Sequence, residues 1–403
     1  METSDLIVIV STLLLSVILL NKKIDESPIW RATAIPLASI IGSGFLVIAP
    51  LLYMTVGTYS VYAMLFLVIT AYMIGSSIRY NIKEIEPRLE NDTLAKPILV
   101  LERFSDLALA FAYITSVTYY LSLFGDFALR GIDLVDPTLS KTITTALILF
   151  IAFYGNHRGF NFLAKFESVK LAIIGGLIAG LIFGNYEAFK EGVWALPSFK
   201  SASLEAMFVI LGMLIVVQGF ETSRYLGDKF DRDLRIRSMK VAQWISGGVY
   251  VVYIALMLYY FNYPMPKTGE DTAIITLSKH ISQILPVMLL ALALIAQFDA
   301  AVADAQGGNG LFIEVLKKYF TKVINGIGYI VIAVFGITIV WTSNIYEIIT
   351  YASKAFALYY AIQAVESALT ALKHNKEYGK FLYFAFVASL ALSVVVLGKP
   401  AGG

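Results

Sequence analysis

The chain of 403 residues contains no cysteine, which excludes a disulfide framework, thiolate nucleophiles and any thiol-ligated metal. Its three histidines, His157, His280 and His374, fall in or near different loops and show no metal-ligand spacing. There is no P-loop, no G-x-S-x-G elbow and no dinucleotide fingerprint beside a strand, so neither an ATP-driven pump nor a soluble-type enzyme is expected. Asp299 and Asp304 stand five residues apart, on different faces of a helix, and make no paired-carboxylate site. No catalytic residue, cofactor or metal is assigned. Charge is scarce, at 15% of residues, and a net charge of +2 gives nucleic acid no electrostatic footing.

What the chain has instead is apolar sequence. Hydrophobic residues make up 58% and the mean hydropathy is +0.74, well beyond an ordinary soluble domain. Apolar runs long enough to cross a bilayer recur along its length. Twelve candidate spans lie near 5–20, 33–54, 58–77, 107–128, 141–155, 168–184, 204–222, 240–262, 285–304, 323–342, 345–370 and 380–397. The expected class is therefore an all-α integral membrane protein in a lipid bilayer. The first span begins with an acidic Met-Glu-Thr-Ser-Asp and has no small-residue cleavage site, so it reads as a retained helix and not a signal peptide.

Lysine and arginine set the orientation. The segments 21–33, 79–106, 155–170, 223–240, 305–322 and 371–380 hold 23 of the basic residues, and the alternate segments hold 7. This alternation places both termini outside a plasma or inner membrane. The longest polar stretch, 79–106, reads as a solvated cytoplasmic loop or short surface helix.

Two spans look broken. One reads Pro36-Leu-Ala-Ser-Ile-Ile-Gly42-Ser43-Gly44-Phe45 and the other Val216-Val217-Gln218-Gly219-Phe220-Glu221-Thr222. Backbone that leaves helical geometry at membrane depth must be buried in protein or line a cavity. Paired interruptions in two halves of a chain point to a transporter's binding site. An interrupted helix exposes N–H groups on one half and C=O groups on the other. The N–H end at Ser43–Phe45 suits a carboxylate, and carbonyls near Val216–Gly219 suit an ammonium. Facing one another, they would hold a zwitterion. The competing reading is a close packing seam at Gly42-x-Gly44. Setting aside the first and last spans leaves ten helices, five in each half and so of opposite orientation. The divisions are an extra N-terminal helix and connector (1–30), a first repeat (31–184), a second repeat (204–370) and a C-terminal helix (371–403).

Four local patterns carry a family resemblance. They are Ile41-Gly42-Ser43-Gly44-Phe45, Gly219-Phe220-Glu221-Thr222, Asn156-x-x-Gly159 with Lys170-Leu171, and the Asp304–Leu311 ending of a later span. Across about 33–370 the chain resembles the amino acid–polyamine–organocation (APC) superfamily. That resemblance implies a LeuT-type five-plus-five inverted repeat with core helices 1 and 6 broken. The substrate-binding candidates are then Ile41, Gly42, Ser43, Gly44, Phe45, Val217, Gln218, Gly219 and Phe220, with Tyr119 from the tyrosine-rich faces Tyr113/Tyr119/Tyr120 and Tyr351/Tyr359/Tyr360. The chain departs from the family where Gly227-Asp228 and Asp231-Arg232-Asp233 replace the acidic pair and Asn-Pro that usually follow G-F-E.

Ionisable residues inside spans are functional candidates. The resemblance puts Lys170 where sodium-coupled relatives bind Na⁺, with Asp299 on the opposite wall as its expected partner. Snorkelling to water is the alternative for Lys170. Lys354 shares a helix face with Glu347, which suggests an ion pair, either structural or gating. Glu221 sits at the second break, and Asp304, just before Gly307-Gly308, is expected at a helix end. The coupling and gating candidates are thus Lys170, Asp299, Glu221 and Lys354. The expected function is secondary active transport of an amino acid or related small amine or zwitterion by alternating access. Coupling to protons, or exchange, is favoured over Na⁺. The alternative is a channel-like or non-transporting protein that kept the fold.

Overall fold

The computed structural model describes residues 2–42, 44–157, 167–198, 203–227, 229–266, 270–317, 320 and 323–401. Among these the secondary structure is helical: α1 (Thr3–Leu19), α2 (Lys22–Asp25), α3 (Pro28–Ile40), α4 (Gly44–Val56), α5 (Ser60–Glu84), α6 (Glu86–Glu90), α7 (Lys96–Arg130), α8 (Pro137–His157), α9 (Glu167–Lys190), α10 (Leu204–Leu211), α11 (Arg232–Met257), α12 (Ala273–Ser278), α13 (Leu285–Lys317), α14 (Ile327–Thr342), α15 (Ile345–Lys373) and α16 (Tyr378–Leu397). Short 3₁₀ turns at Leu214–Val217 and Phe220–Leu226 follow α10. Eight helices among the described residues are long and apolar enough to span a membrane. The α3–α4 pair, bent by 42°, is a ninth candidate, and α1 and α14 are shorter apolar helices.

The long helices enclose a main hydrophobic core, and Tyr80, Ala368, Ala371 and Phe384 form a small second cluster. α7 packs against α8, α13 and α15, while α11 packs against α3 and α5. α1 lies along α9, where a Cβ on Gly176 would collide with Thr12 Oγ1, a small-residue seam of the kind that lets membrane helices approach. Asp5 fixes the start of α1 by accepting from the Ser282 hydroxyl at 2.6 Å and from the Gln283 amide at 2.9 Å.

Two sequence expectations need correction. The span expected to end at 304 continues as α13 through Gly307 and Gly308 to Lys317. Both glycines stay helical and make room for the Tyr113 side chain, which would lie 3.1 Å from a Cβ at either position. Asp304 is therefore a mid-helix residue, and its carboxylate accepts from the Ser116 hydroxyl of α7. The stretch 79–106 is also not simply a solvated loop. α5 runs to Glu84, α7 starts at Lys96, and Arg79, Asn81 and Glu102 are buried. Each has a polar partner: Arg79 donates to Gln243, Asn81 to Gln363, and Glu102 accepts from Arg224. A polar partner lowers the cost of taking each of these groups out of water.

Candidate ligand site at the broken helices

The first break follows directly from residue chemistry. The amide of Ile41 makes the last helical bond of α3, to the Leu37 carbonyl at 2.9 Å, and α4 resumes at Gly44. Two glycines within three positions cost helical order about 1 kcal/mol each relative to alanine. The second break is wider than expected, beginning just after α10 at Gly212 and Met213. The chain then tightens into 3₁₀ geometry, becomes extended at Gln218, and turns at Gly219, where φ is +119°. That backbone angle is readily available only to glycine.

Orphan backbone groups of the second break find partners on α15 and within the segment itself. The amide of Ile215 donates to Ser353 Oγ of α15 at 2.9 Å. The amide of Gly219 donates to Glu221 Oε2 at 2.9 Å, and the same oxygen accepts from the Tyr360 hydroxyl at 2.8 Å. Glu221 thus neutralises the N–H end of its own half-helix, as a carboxylate at a helix start does. Gln218 donates to Tyr120 Oη at 3.0 Å, and Phe220 stacks on Tyr360 with ring centroids 5.3 Å apart.

The two breaks touch. A Cβ on Gly44 would stand 2.8 Å from Val216 Cα, and one on Gly219 would stand 2.5 Å from Ser39 Oγ and 2.8 Å from the Ser39 carbonyl carbon. Tyr250 of α11 joins them: its hydroxyl lies 2.8 Å from the Ile40 carbonyl oxygen and 2.6 Å from that of Val216. One hydroxyl proton therefore serves a carbonyl from each broken segment. Beside this junction is a cavity of about 10 Å³, lined by Ile40, Val217, Gln243 and Tyr250 among others. That is room for a water at most.

The remaining predicted residues divide into those at the junction and those elsewhere. Ile41, Gly44, Val217, Gln218 and Gly219 lie at it, and Gly42 is half-buried beside them. Phe45 is buried in a stack on Tyr253, with centroids 4.2 Å apart. Ser43 lies outside the described residues, as does most of the Asn156–Phe166 motif. Tyr119 is fully buried, but its neighbour Tyr120 is the one that hydrogen-bonds Gln218. Lys170 Nζ lies 2.6 Å from Asp299 Oδ2, joining α9 to α13, and both side chains are largely buried.

The expected Lys354–Glu347 pair is absent. Glu347 instead closes a capping box with Asn344, accepting from its amide at 2.8 Å. Seven residues of helix rise by roughly 10 Å, too far for Lys354 to reach a carboxylate held there. Tyr250 is the residue that sequence reasoning missed. Its signal was a tyrosine in the middle of a span, away from the interfacial belts where aromatics usually concentrate. Among the described residues no group of three or more metal-ligating side chains gathers.

Comparison with known proteins identifies the family. A family model described as "APC superfamily transporter" matches residues 22–398. A protein of Aquifex aeolicus (strain VF5), described as uncharacterized, is 39% identical over 403 residues, covering 98% of this chain and 97% of its own length.

Proposed function

The chain belongs to the APC superfamily of transporters, a multi-pass membrane family, and we propose that it is a secondary active carrier of an amino acid or related small amine or zwitterion. The observation that carries this reading is the direct backbone contact between two broken segments about 175 residues apart, Gly44 against Val216 and Gly219 against Ser39. In this reading α1 and α16 are additions to ten core spans. These are α3–α4, α5, α7, α8 and α9, followed by α10 with its 3₁₀ continuation, α11, α13, α14 and α15. Residues 31–184 and 204–370 form the two inverted repeats. The lysine- and arginine-rich end is cytoplasmic and both termini are outside.

The junction is the ligand site in its closed arrangement. Glu221 already occupies the N–H end at Gly219, which leaves the start of α4, at Gly44 and Phe45, as the end that receives a ligand carboxylate. Carbonyls of Ile41, Val217 and Gln218 face the ammonium, and Tyr119 and Tyr120 flank it. Opening separates α3–α4 and the second break from α7 and α15, which is alternating access around a fixed site. Coupling is to protons and not Na⁺: Lys170 supplies a cation between α9 and α13, compensated by Asp299. Separating them would leave uncompensated charge in a dry interior. A proton given up by Lys170 removes its charge as the pair separates, and alternation of the two states then carries a proton.

Counterflow in proteoliposomes tests the proposal. Unlabelled substrate inside should accelerate entry of labelled substrate from outside, screened over amino acids, amines and nucleobases. Flux without saturation would indicate a channel, and absence of flux across the screen a non-transporting relative.

A further inference from the structure

At the lysine- and arginine-rich end, the 3₁₀ segment Phe220–Leu226 is tied to α7 and α15 by a buried polar cluster. Arg224 Nη2 lies 2.5 Å from Glu102 Oε1, and Nη1 donates to Gln363 Oε1. Gln363 Nε2 reaches Ser105 Oγ at 2.6 Å and Glu366 Oε2 at 3.2 Å. Arg224, Glu102 and Glu366 are 8%, 8% and 0% exposed. The remaining carboxyl oxygens, Glu102 Oε2 and Glu366 Oε1, are buried and accept from no donor. Arg224 and Gln363 thus join the two carboxyl groups in one buried network, in which each keeps an oxygen without a donor.

Two ionised carboxylates are both acceptors and cannot bond. One proton held by the pair supplies a donor where both ionised groups offer only acceptors. It also leaves one negative charge to match one guanidinium, which a dry interior demands. The other groups facing Glu366 are Asp106 of α7, which adds negative charge, and Arg224. Tyr225 and Tyr359 meet hydroxyl to hydroxyl at 3.2 Å beside Arg224. Arg224 also lines a surface cleft of about 490 Å³ with Glu86, Arg232 and Arg235, so solvent reaches the edge of the cluster.

We propose that Glu102 and Glu366 share a single proton, and that this proton latches the 220–226 segment onto α7 and α15, so that opening this end of the molecule releases it into the adjoining cleft. The site is separate from Lys170 and Asp299, and its gating role rests on the carrier reading above. Because the closed latch binds a proton that the opened one loses, the latch is stable at low pH and weakens as pH rises.

The test is hydrogen exchange of the amides of 220–227 in the full-length protein in lipid nanodiscs, from pH 6 to pH 9, expressed as protection factors corrected for intrinsic rate. Wild-type protection should fall with rising pH, approaching about tenfold per unit for one released proton. Glu366→Gln supplies a permanent donor, and Glu102→Gln leaves one carboxylate for Arg224. Either variant should remove the pH dependence, so one that folds suffices. A flat wild-type profile, or an unchanged slope in a folded variant, overturns the proposal. A pH-dependent latch in a protein that shows no counterflow would uphold the shared proton and refute the carrier reading instead.

Discussion

The hydroxyl of Tyr250 and the carbonyl of Val216 are 2.6 Å apart, and the same hydroxyl reaches the Ile40 carbonyl at 2.8 Å. A helix outside both breaks thereby closes one against the other. Tyr250→Phe keeps the ring, which packs edge-on to Phe45, and removes only the bridge. Leaving a buried carbonyl without a donor costs about 1–3 kcal/mol. The variant should melt at a lower temperature, and exchange should quicken at the amides of Ile41, Gly44 and Val216–Gly219. Wild-type melting and exchange in this variant would show that the hydroxyl holds nothing together.

Glycine at the two breaks should be irreplaceable for different reasons. At Gly44 the obstacle is contact, since a Cβ would meet the Val216 backbone at 2.8 Å. At Gly219 the left-handed angle adds strain of order 1–3 kcal/mol for any other residue to the clash with Ser39. Gly44→Leu and Gly219→Ala should both abolish uptake while folded protein still reaches the membrane. Gly248→Ala, in open space on α11, should transport like wild type. Normal uptake by either break variant would move the ligand site elsewhere.

How much of this was legible in the sequence depends on what each feature rests on. The breaks were readable because glycine and small polar residues in an apolar run violate a strong local expectation. The extent of the second break was not, because Leu214–Val217 is wholly apolar and its 3₁₀ geometry is supported by Ser353, 138 residues away. The Lys354–Glu347 pairing failed for a local reason: face periodicity aligned them, but the Asn344 cap claimed the carboxylate. Burial of Glu102 was hidden because its partner, Arg224, lies 122 residues along the chain, and a charged segment read alone looks solvated.

His374, at the turn between α15 and α16, is a pH-sensitive point outside the spans. Partial burial, with Arg88 and Lys373 nearby, holds its imidazole below the usual histidine range. The folded state thus favours the neutral ring more than the unfolded chain does. Its contribution to stability is present above the unfolded-state value and is lost as pH falls through the folded one. Thermal stability should therefore decline on acidification below about pH 6.5, and His374→Gln should reduce that decline. An identical acid limb in the variant would show that other groups account for it.

The Lys170–Asp299 pair makes the sharpest demand on the coupling proposal. At 2.6 Å and largely buried, it is a contact whose disruption leaves one uncompensated charge, at a cost of about 3–5 kcal/mol. Lys170→Ala alone and Asp299→Ala alone should each be markedly less stable than wild type. The double variant Lys170→Ala/Asp299→Ala should recover most of the loss, because it leaves no lone charge. Transport separates a coupling role from a structural one. If the pair carries the proton, the double variant should bind substrate and exchange it, yet fail to concentrate it against a gradient, and its uptake should no longer vary with pH. Replacing Na⁺ with K⁺ at fixed pH should leave wild-type uptake unchanged. A double variant that still accumulates substrate with the wild-type pH profile, or wild-type uptake that requires Na⁺, would reduce the pair to an interhelical brace.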